Sequence, residues 1–244
     1  MNSPNDINQQ RYKKLEEIRS RGIDPYPLRF DVSHSAQSIL ENAEELIESG
    51  KSVTVAGRII SKRGHGKSGF SHLLDRTNRI QIYVRLDRID SEIFELYDQL
   101  IEVGDFLGIK GTVFKTRTGE ITVAVDELQL LSKSLRALPE KWHGLRDVET
   151  RYRQRYVDLI INPEVKDVFL KRSRLIRSIQ RFMDGEGFGE VETPILQPLY
   201  GGALARPFKT HHQALDMPLF MRIADELYLK RLIVGGMELS LIHI

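Results

Sequence analysis

The chain has 244 residues, 36 Lys+Arg against 34 Asp+Glu for a formal charge of +2, and 41% hydrophobic residues, the balance of a folded, water-soluble protein with one large or two modest domains. It contains no cysteine, which excludes disulfides, thiolate zinc sites and thiol nucleophiles. No apolar run approaches the roughly 18–20 residues of a membrane span, and the polar start MNSPNDINQQRYKKLEEIRS lacks the hydrophobic stretch of a secretory signal, so a cytoplasmic protein is expected.

Residues 8–21 space Tyr12, Leu15 and Ile18 at three-residue steps before Gly22 and Asp24-Pro25, which predicts a short amphipathic helix. SAQSILENAEELIESG predicts a second helical stretch that ends at Gly50. From Val53 the period changes to two. VTVAGRIIS, GFSHLLD, RIQIYVR, DFLGIKGTVFKT and EITVAVDELQLL read as five strands. Between the third and fourth, SEIFELYDQLIEVG carries Ile93, Phe94, Tyr97, Leu100 and Ile101 at helical spacing. Five strands with a helix between the third and fourth is the order of an OB-fold, a small barrel that often binds oligonucleotides on strands two and three.

Residues 138–155, LPEKWHGLRDVETRYRQR, read as an irregular, polar linker. A long amphipathic helix is expected from Val165, with Val168, Phe169, Ile176, Ile179, Phe182 and Met183 on its apolar face. EVETPIL then reads as a strand interrupted by Pro194, so it is an edge or meets something other than a regular neighbour. PLFMRIA suggests another strand, and DELYLKRLIVGG a helix stopped by Gly235-Gly236.

Charge is segregated along this order. Residues 51–90 carry nine Lys/Arg against three acids, residues 91–105 carry five acids and no Lys/Arg, and residues 131–181 carry 13 Lys/Arg against six acids. The pattern fits a polyanionic partner or solvated helix faces. GHGKS at 64–68 is not a phosphate-binding loop, because Ser61 stands where that motif needs its first glycine and a β-run follows instead of a helix. His211-His212 has no carboxylate at ligand spacing and reads as structural or hydrogen-bonding. Phe70, flanked by Lys67 and by Arg63 on the first strand, suits either base stacking or a barrel core. Gly201-Gly202 reads as a tight turn or a close approach to a ligand, and Glu226 as a solvated or capping acid.

Taken together, WHGLRDVETRYRQRYVDLIINPEV, GGALARPFKTHHQALDM and ELYLKRLIVGG resemble the class II lysyl-tRNA synthetases, from about residue 10 to Gly236. The resemblance implies an OB-fold anticodon-binding domain with flanking helices, followed by the incomplete start of an α+β class II catalytic domain. Its expected divisions are an N-terminal helical extension (1–50), the OB-fold (51–137), a linker (138–155) and the partial catalytic domain (156–244). It implies that Arg63, Phe70, Gln81 and Glu127 contact a uracil-rich anticodon, that Gly202, Ala203 and Glu226 bind lysine, and that Pro194 belongs to a homodimer interface. The implied reaction uses ATP and Mg2+ to make lysyl-adenylate and transfers the lysyl group to the 3′ end of lysine tRNA.

Two departures qualify that expectation. Asp225 replaces the proline usual before Glu226. After Gly236 the family continues through motif 2 and motif 3, whose arginines and metal-binding acids serve catalysis, whereas this sequence reads MELSLIHI. The expectation is an N-terminal fragment, inactive by itself, that ends in non-native residues. A non-catalytic tRNA-binding module is the alternative.

Overall fold

The structure, a computed structural model, describes residues 4–139 and 145–239. Part of the linker expected at 138–155, and the last five residues of MELSLIHI, lie outside the described residues. The chain forms two compact units, Met1–Gly144 and Leu145–Ile244.

The first unit begins with helix α1 (Pro4–Ser20), α2 (Ala36–Glu41) and α3 (Ala43–Ser49). On α1, Leu15 and Ile18 are buried as expected, but Tyr12 is exposed and Arg11 is buried in its place. Residues 11, 15 and 18 follow the four-then-three spacing of one helix face. Arg11 donates through its two Nη atoms to the carbonyls of Ser134 (2.9 Å) and Val103 (3.0 Å), while its buried Nε makes no hydrogen bond among the described residues and lies 3.9 Å from the Glu102 carboxylate. The single stretch expected around residues 35–50 is two helices, broken at Asn42.

Five strands follow: β1 (Ser52–His65), β2 (Ser68–Leu74), β3 (Arg79–Arg85), β4 (Phe106–Lys115) and β5 (Ile121–Ser132). They close as a barrel in the order β1-β2-β3-β5-β4, with β3 and β5 parallel and the other pairs antiparallel. This is the OB-fold. Val53, Val55, Leu73, Ile80, Ile82, Leu107, Ile109, Val123 and Val125 fill the interior with about 1% exposure or less. At Gly111 the β4–β5 register shifts, and a Cβ there would stand 2.0 Å from the Ala124 carbonyl oxygen, so only glycine fits the bulge. Helix α4 (Ser91–Glu95) and a π-helical turn (Leu96–Leu100) lie between β3 and β4, as the sequence predicts. Lys133, fully buried, donates to Asp105 (2.7 Å), Glu102 (3.1 Å) and the Leu100 carbonyl (2.8 Å), tying the end of β5 to that turn.

The second unit contains α5 (Val148–Arg153), α6 (Arg155–Ile161), α7 (Pro163–Gly185), β6 (Leu196–Gln197), β7 (Lys209–His212), β8 (Met217–Met221) and α8 (Glu226–Val234). The irregular reading of 138–155 missed α5, which starts where the Asp147 carboxylate accepts the Thr150 N–H at 2.8 Å. Asp158 anchors α5, α6 and the start of α7: it accepts from Arg151 (2.9 Å), Arg155 and Asn162 (2.7 Å). Burial alone would raise its pKa, but the Asn162 and Arg151 hydrogen bonds and the nearby arginine charges outweigh that and hold the carboxyl below its usual range.

On α7 only Val165 is buried; Val168, Phe169, Ile176, Ile179 and Phe182 are exposed. The strand expected at EVETPIL shrinks to β6, which pairs with β8, while β7 pairs with the other edge of β8. Pro194 has no N–H to give a ladder, and the pairing begins only beyond it.

Candidate nucleic-acid interface

The barrel's cross-strand register builds the site. Arg63 of β1 lies opposite Phe70 of β2, which lies opposite Tyr83 of β3. Two residues along, Ser61 lies opposite His72, which lies opposite Gln81, and β3–β5 pairing places Thr122 beside Gln81. Because side chains alternate across a strand, these two rows share one outer face.

The face is a groove of about 530 Å³, bordered by Phe114 and by the β4–β5 turn with Arg117 and Glu120. Phe70 stacks on Tyr83, with ring centroids 4.3 Å apart and 16° between planes. Phe70 is 36% exposed, which answers the choice left open by periodicity: it is an outward aromatic, not barrel core. Arg63 and Arg117 make no hydrogen bond or ion pair among the described residues, so both guanidinium groups are available to a ligand.

A connected polar chain runs beside the rings. Ser61 Oγ and His72 Nδ1 are 2.8 Å apart, His72 Nε2 and Glu120 Oε1 are 2.8 Å apart, Gln81 Nε2 donates to Glu120 Oε2 at 2.8 Å, and Thr122 Oγ1 donates to Gln81 Oε1 at 2.7 Å. An ionised carboxylate only accepts, so His72 Nε2–H donates to Glu120, while Nδ1 shares a hydrogen bond with the Ser61 hydroxyl. The Thr122 bond fixes which end of the Gln81 amide faces Glu120.

Glu127 is not part of this groove. It lies farther along β5, opposite Lys110, with which it forms an exposed ion pair at 2.6 Å. The β-bulge between Lys110 and Gly111 separates it from the stretch of β5 that borders β3. The acid that stands beside Gln81 is Glu120, which the sequence reading did not single out. Its signal is weak: a carboxylate two residues before Thr122, meaningful only once the parallel β3–β5 register is known.

In the second unit, Gly202 and Glu226 are brought together. Gly202 has φ +85°, and a Cβ there would lie 2.9 Å from Glu226 Cβ and 3.2 Å from its Oε2, so both conformation and contact require glycine. Glu226 is the first residue of α8 and pairs with Lys230 one turn on. Ala203 is exposed beside them. Asp225 occupies the N-cap position without capping through its side chain; its carboxylate accepts the Thr193 hydroxyl at 2.7 Å and pairs with Arg222 at 2.8 Å. His211 Nε2 contacts the Asp216 carboxylate at 3.1 Å, and His212 Nδ1 accepts the Leu215 N–H at 3.2 Å.

The sequence comparisons match both units. Residues 53–131 match the model of an OB-fold nucleic acid binding domain, and residues 147–240 match that of tRNA synthetases class II (D, K and N). The chain is 58% identical over 234 residues to a lysine–tRNA ligase of Pelotomaculum thermopropionicum, covering 96% of this chain and 46% of that protein. The lysine–tRNA ligases of Carboxydothermus hydrogenoformans and Moorella thermoacetica are 54% and 53% identical, over 96% and 98% of this chain and 47% and 48% of theirs.

The chain is a lysyl-tRNA synthetase homologue. It spans about half the length of the curated relatives it matches. The class II match runs to residue 240 and so takes in the first four residues of MELSLIHI. Of the four positions that the synthetase resemblance assigned to the anticodon, Arg63, Phe70 and Gln81 share the groove and Glu127 does not.

Proposed function

We propose that this chain is the anticodon-reading and lysine-contacting portion of a lysine–tRNA ligase. The observation that supports this most is the outer barrel groove: an aromatic floor, two uncommitted arginines and an ordered Gln81–Glu120 pair, in a chain more than half identical to such ligases. An exposed ring stacks any base, guanidinium groups hold phosphates or base carbonyls, and a carboxylate accepts from a ring N–H such as that of uracil. The anticodon set is therefore Arg63, Phe70, Gln81 and Glu120, with Glu120 replacing Glu127. Residues 1–50 serve as the helical extension, 51–137 as the anticodon barrel, 138–155 as the linker and 156–244 as the start of the catalytic domain.

In the reaction, the lysine carboxylate attacks the α-phosphorus of ATP and releases pyrophosphate; a ribose hydroxyl at the tRNA 3′ end then takes the lysyl group as AMP leaves. Mg2+ would neutralise phosphate charge. Among the described residues no three His, Cys, Asp or Glu side chains cluster to hold a metal. Gly202 and Ala203 offer backbone to the amino acid, and Glu226 offers a carboxylate to its ammonium. Pro194 and the exposed apolar residues of α7 supply a homodimer contact. No helix among the described residues is long and apolar enough to cross a membrane.

Nuclease footprinting of lysine tRNA with the 244-residue chain tests the reading. Protection concentrated in the anticodon loop is expected. Protection spread evenly along the tRNA, or none, would contradict it.

A further inference from the structure

His72 lies on β2 between the two polar ends of the groove and is 23% exposed at its side chain. It carries neither a stacking surface, which Phe70 and Tyr83 provide, nor a free charge, which Arg63 and Arg117 provide. Both of its nitrogens are engaged within the protein, one with Ser61 and one with Glu120. We propose that His72 is a positioning residue for base readout, which holds Glu120 as an oriented acceptor in the groove; this rests on the anticodon-reading function proposed above.

Glu120 closes the turn between β4 and β5, where its own N–H donates to Thr116 Oγ1 (2.9 Å) and its carbonyl accepts the Thr116 N–H (2.9 Å). Its backbone is thus fixed, but its side chain has rotatable bonds and is well exposed, so the carboxylate needs its own restraints. It has two. His72 binds Oε1 from β2 and Gln81 binds Oε2 from β3, so the carboxylate is held in one plane with its remaining lone pairs left for a ligand. Gln81 is in turn held by Thr122, and His72 by Ser61, so neither restraint is loose. A fixed acceptor discriminates uracil, whose ring N3 carries a hydrogen, from cytosine, whose N3 is itself an acceptor and meets the carboxylate with repulsion. A mobile carboxylate swings into solvent and loses that discrimination while stacking on Phe70 continues.

The test measures affinities of two stem-loops, differing only in uracil or cytosine at the central anticodon position, for the 244-residue chain and three variants. His72→Leu keeps volume and removes both hydrogen bonds, His72→Gln keeps a donor toward Glu120, and Phe70→Ala reports on the groove itself. Thermal unfolding of each variant checks that the barrel is intact. The expected result is that His72→Leu lowers the uracil preference about tenfold, the scale of one lost hydrogen bond to a charged group. His72→Gln should stay near the wild-type preference, and Phe70→Ala should weaken both stem-loops. If Phe70→Ala weakens binding while His72→Leu leaves the preference unchanged, or if Leu and Gln lower it equally, the positioning role is overturned and the anticodon function stands. If Phe70→Ala changes nothing, the function falls and the role of His72 falls with it.

Discussion

Glu120 and Glu127 are the same residue type on one sequence stretch, yet the fold gives them different surroundings. Glu120 completes a groove with uncommitted arginines and stacked rings, whereas Glu127 forms a solvent-exposed pair with Lys110, an interaction of small energetic weight. Glu120→Ala should weaken stem-loop binding by about 1.5–3 kcal/mol, the value of a hydrogen bond to a charged group, while Glu127→Ala should change it by less than about 0.5 kcal/mol. Fluorescence titration of both variants checks this. Phe70 and Gln81 are accessible from sequence through the family resemblance, since alternation leaves Phe70 open between stacking and core and does not single out Gln81. Choosing between a glutamate in the β4–β5 turn and one on β5 required the parallel register and the position of a bulge, neither of which leaves a local pattern. Lys133 shows a second limit: nothing in the sequence marks this lysine as buried. Lys133→Met leaves Asp105 buried without its cation, so a loss of about 3–5 kcal/mol is expected in urea unfolding. A loss below about 1 kcal/mol would mean that water reaches Asp105.

At the level of elements, all five barrel strands fall where their runs of β-formers put them, β2 and β3 with strict alternation of burial and β4 and β5 with consecutive buried residues, and α4, α7, β8 and α8 fall where sequence spacing puts them. The misses are short. Helix α5 and strand β7, with all four residues exposed, have too few apolar positions to show a period, and α6, only seven residues long, is too short to show one. The α2–barrel junction is likewise non-local. Asp75, in the β2–β3 turn, accepts N–H groups of Thr77 (2.6 Å) and Asn78 (2.9 Å) and reaches the first helical N–H of α2, that of Ala36, at 2.7 Å. Burial would raise its pKa, but the Thr77 hydroxyl and these backbone donors outweigh burial and keep it below the usual value. A carboxylate with a folded pKa below its unfolded one contributes stability above the unfolded value and loses it as pH falls through the folded value. Hydrogen exchange of the Ala36 amide should therefore accelerate on acidification below about pH 4, and Asp75→Asn should remove most of that pH dependence. An exchange rate that shows no acid loosening beyond intrinsic chemistry would contradict the assignment.

Across the whole molecule, stability and recognition are divided unequally between the units. Nearly all buried apolar side chains belong to the first, with Val165 and Leu219 the buried apolar residues of the second among the described residues. Amides of β1–β5 should thus be the slowest to exchange and those of α7 and α8 far faster, by native-state hydrogen exchange. The exposed Val168, Phe169, Ile176, Ile179 and Phe182 make a large apolar surface, and concentration-dependent association is expected in sedimentation.

The near-neutral net charge says little about this division, because the basic excess of residues 51–90 falls on the strands that carry the groove. The most direct measurement of the central claim is the affinity of a lysine-tRNA anticodon stem-loop for the intact chain and for Phe70→Ala, each at low and moderate salt. Reading of unstacked bases on the groove predicts a loss of about 1–3 kcal/mol on removal of the ring and a steep fall with salt for both proteins. Equal affinities for the two proteins would contradict it and leave the groove a surface feature of the barrel.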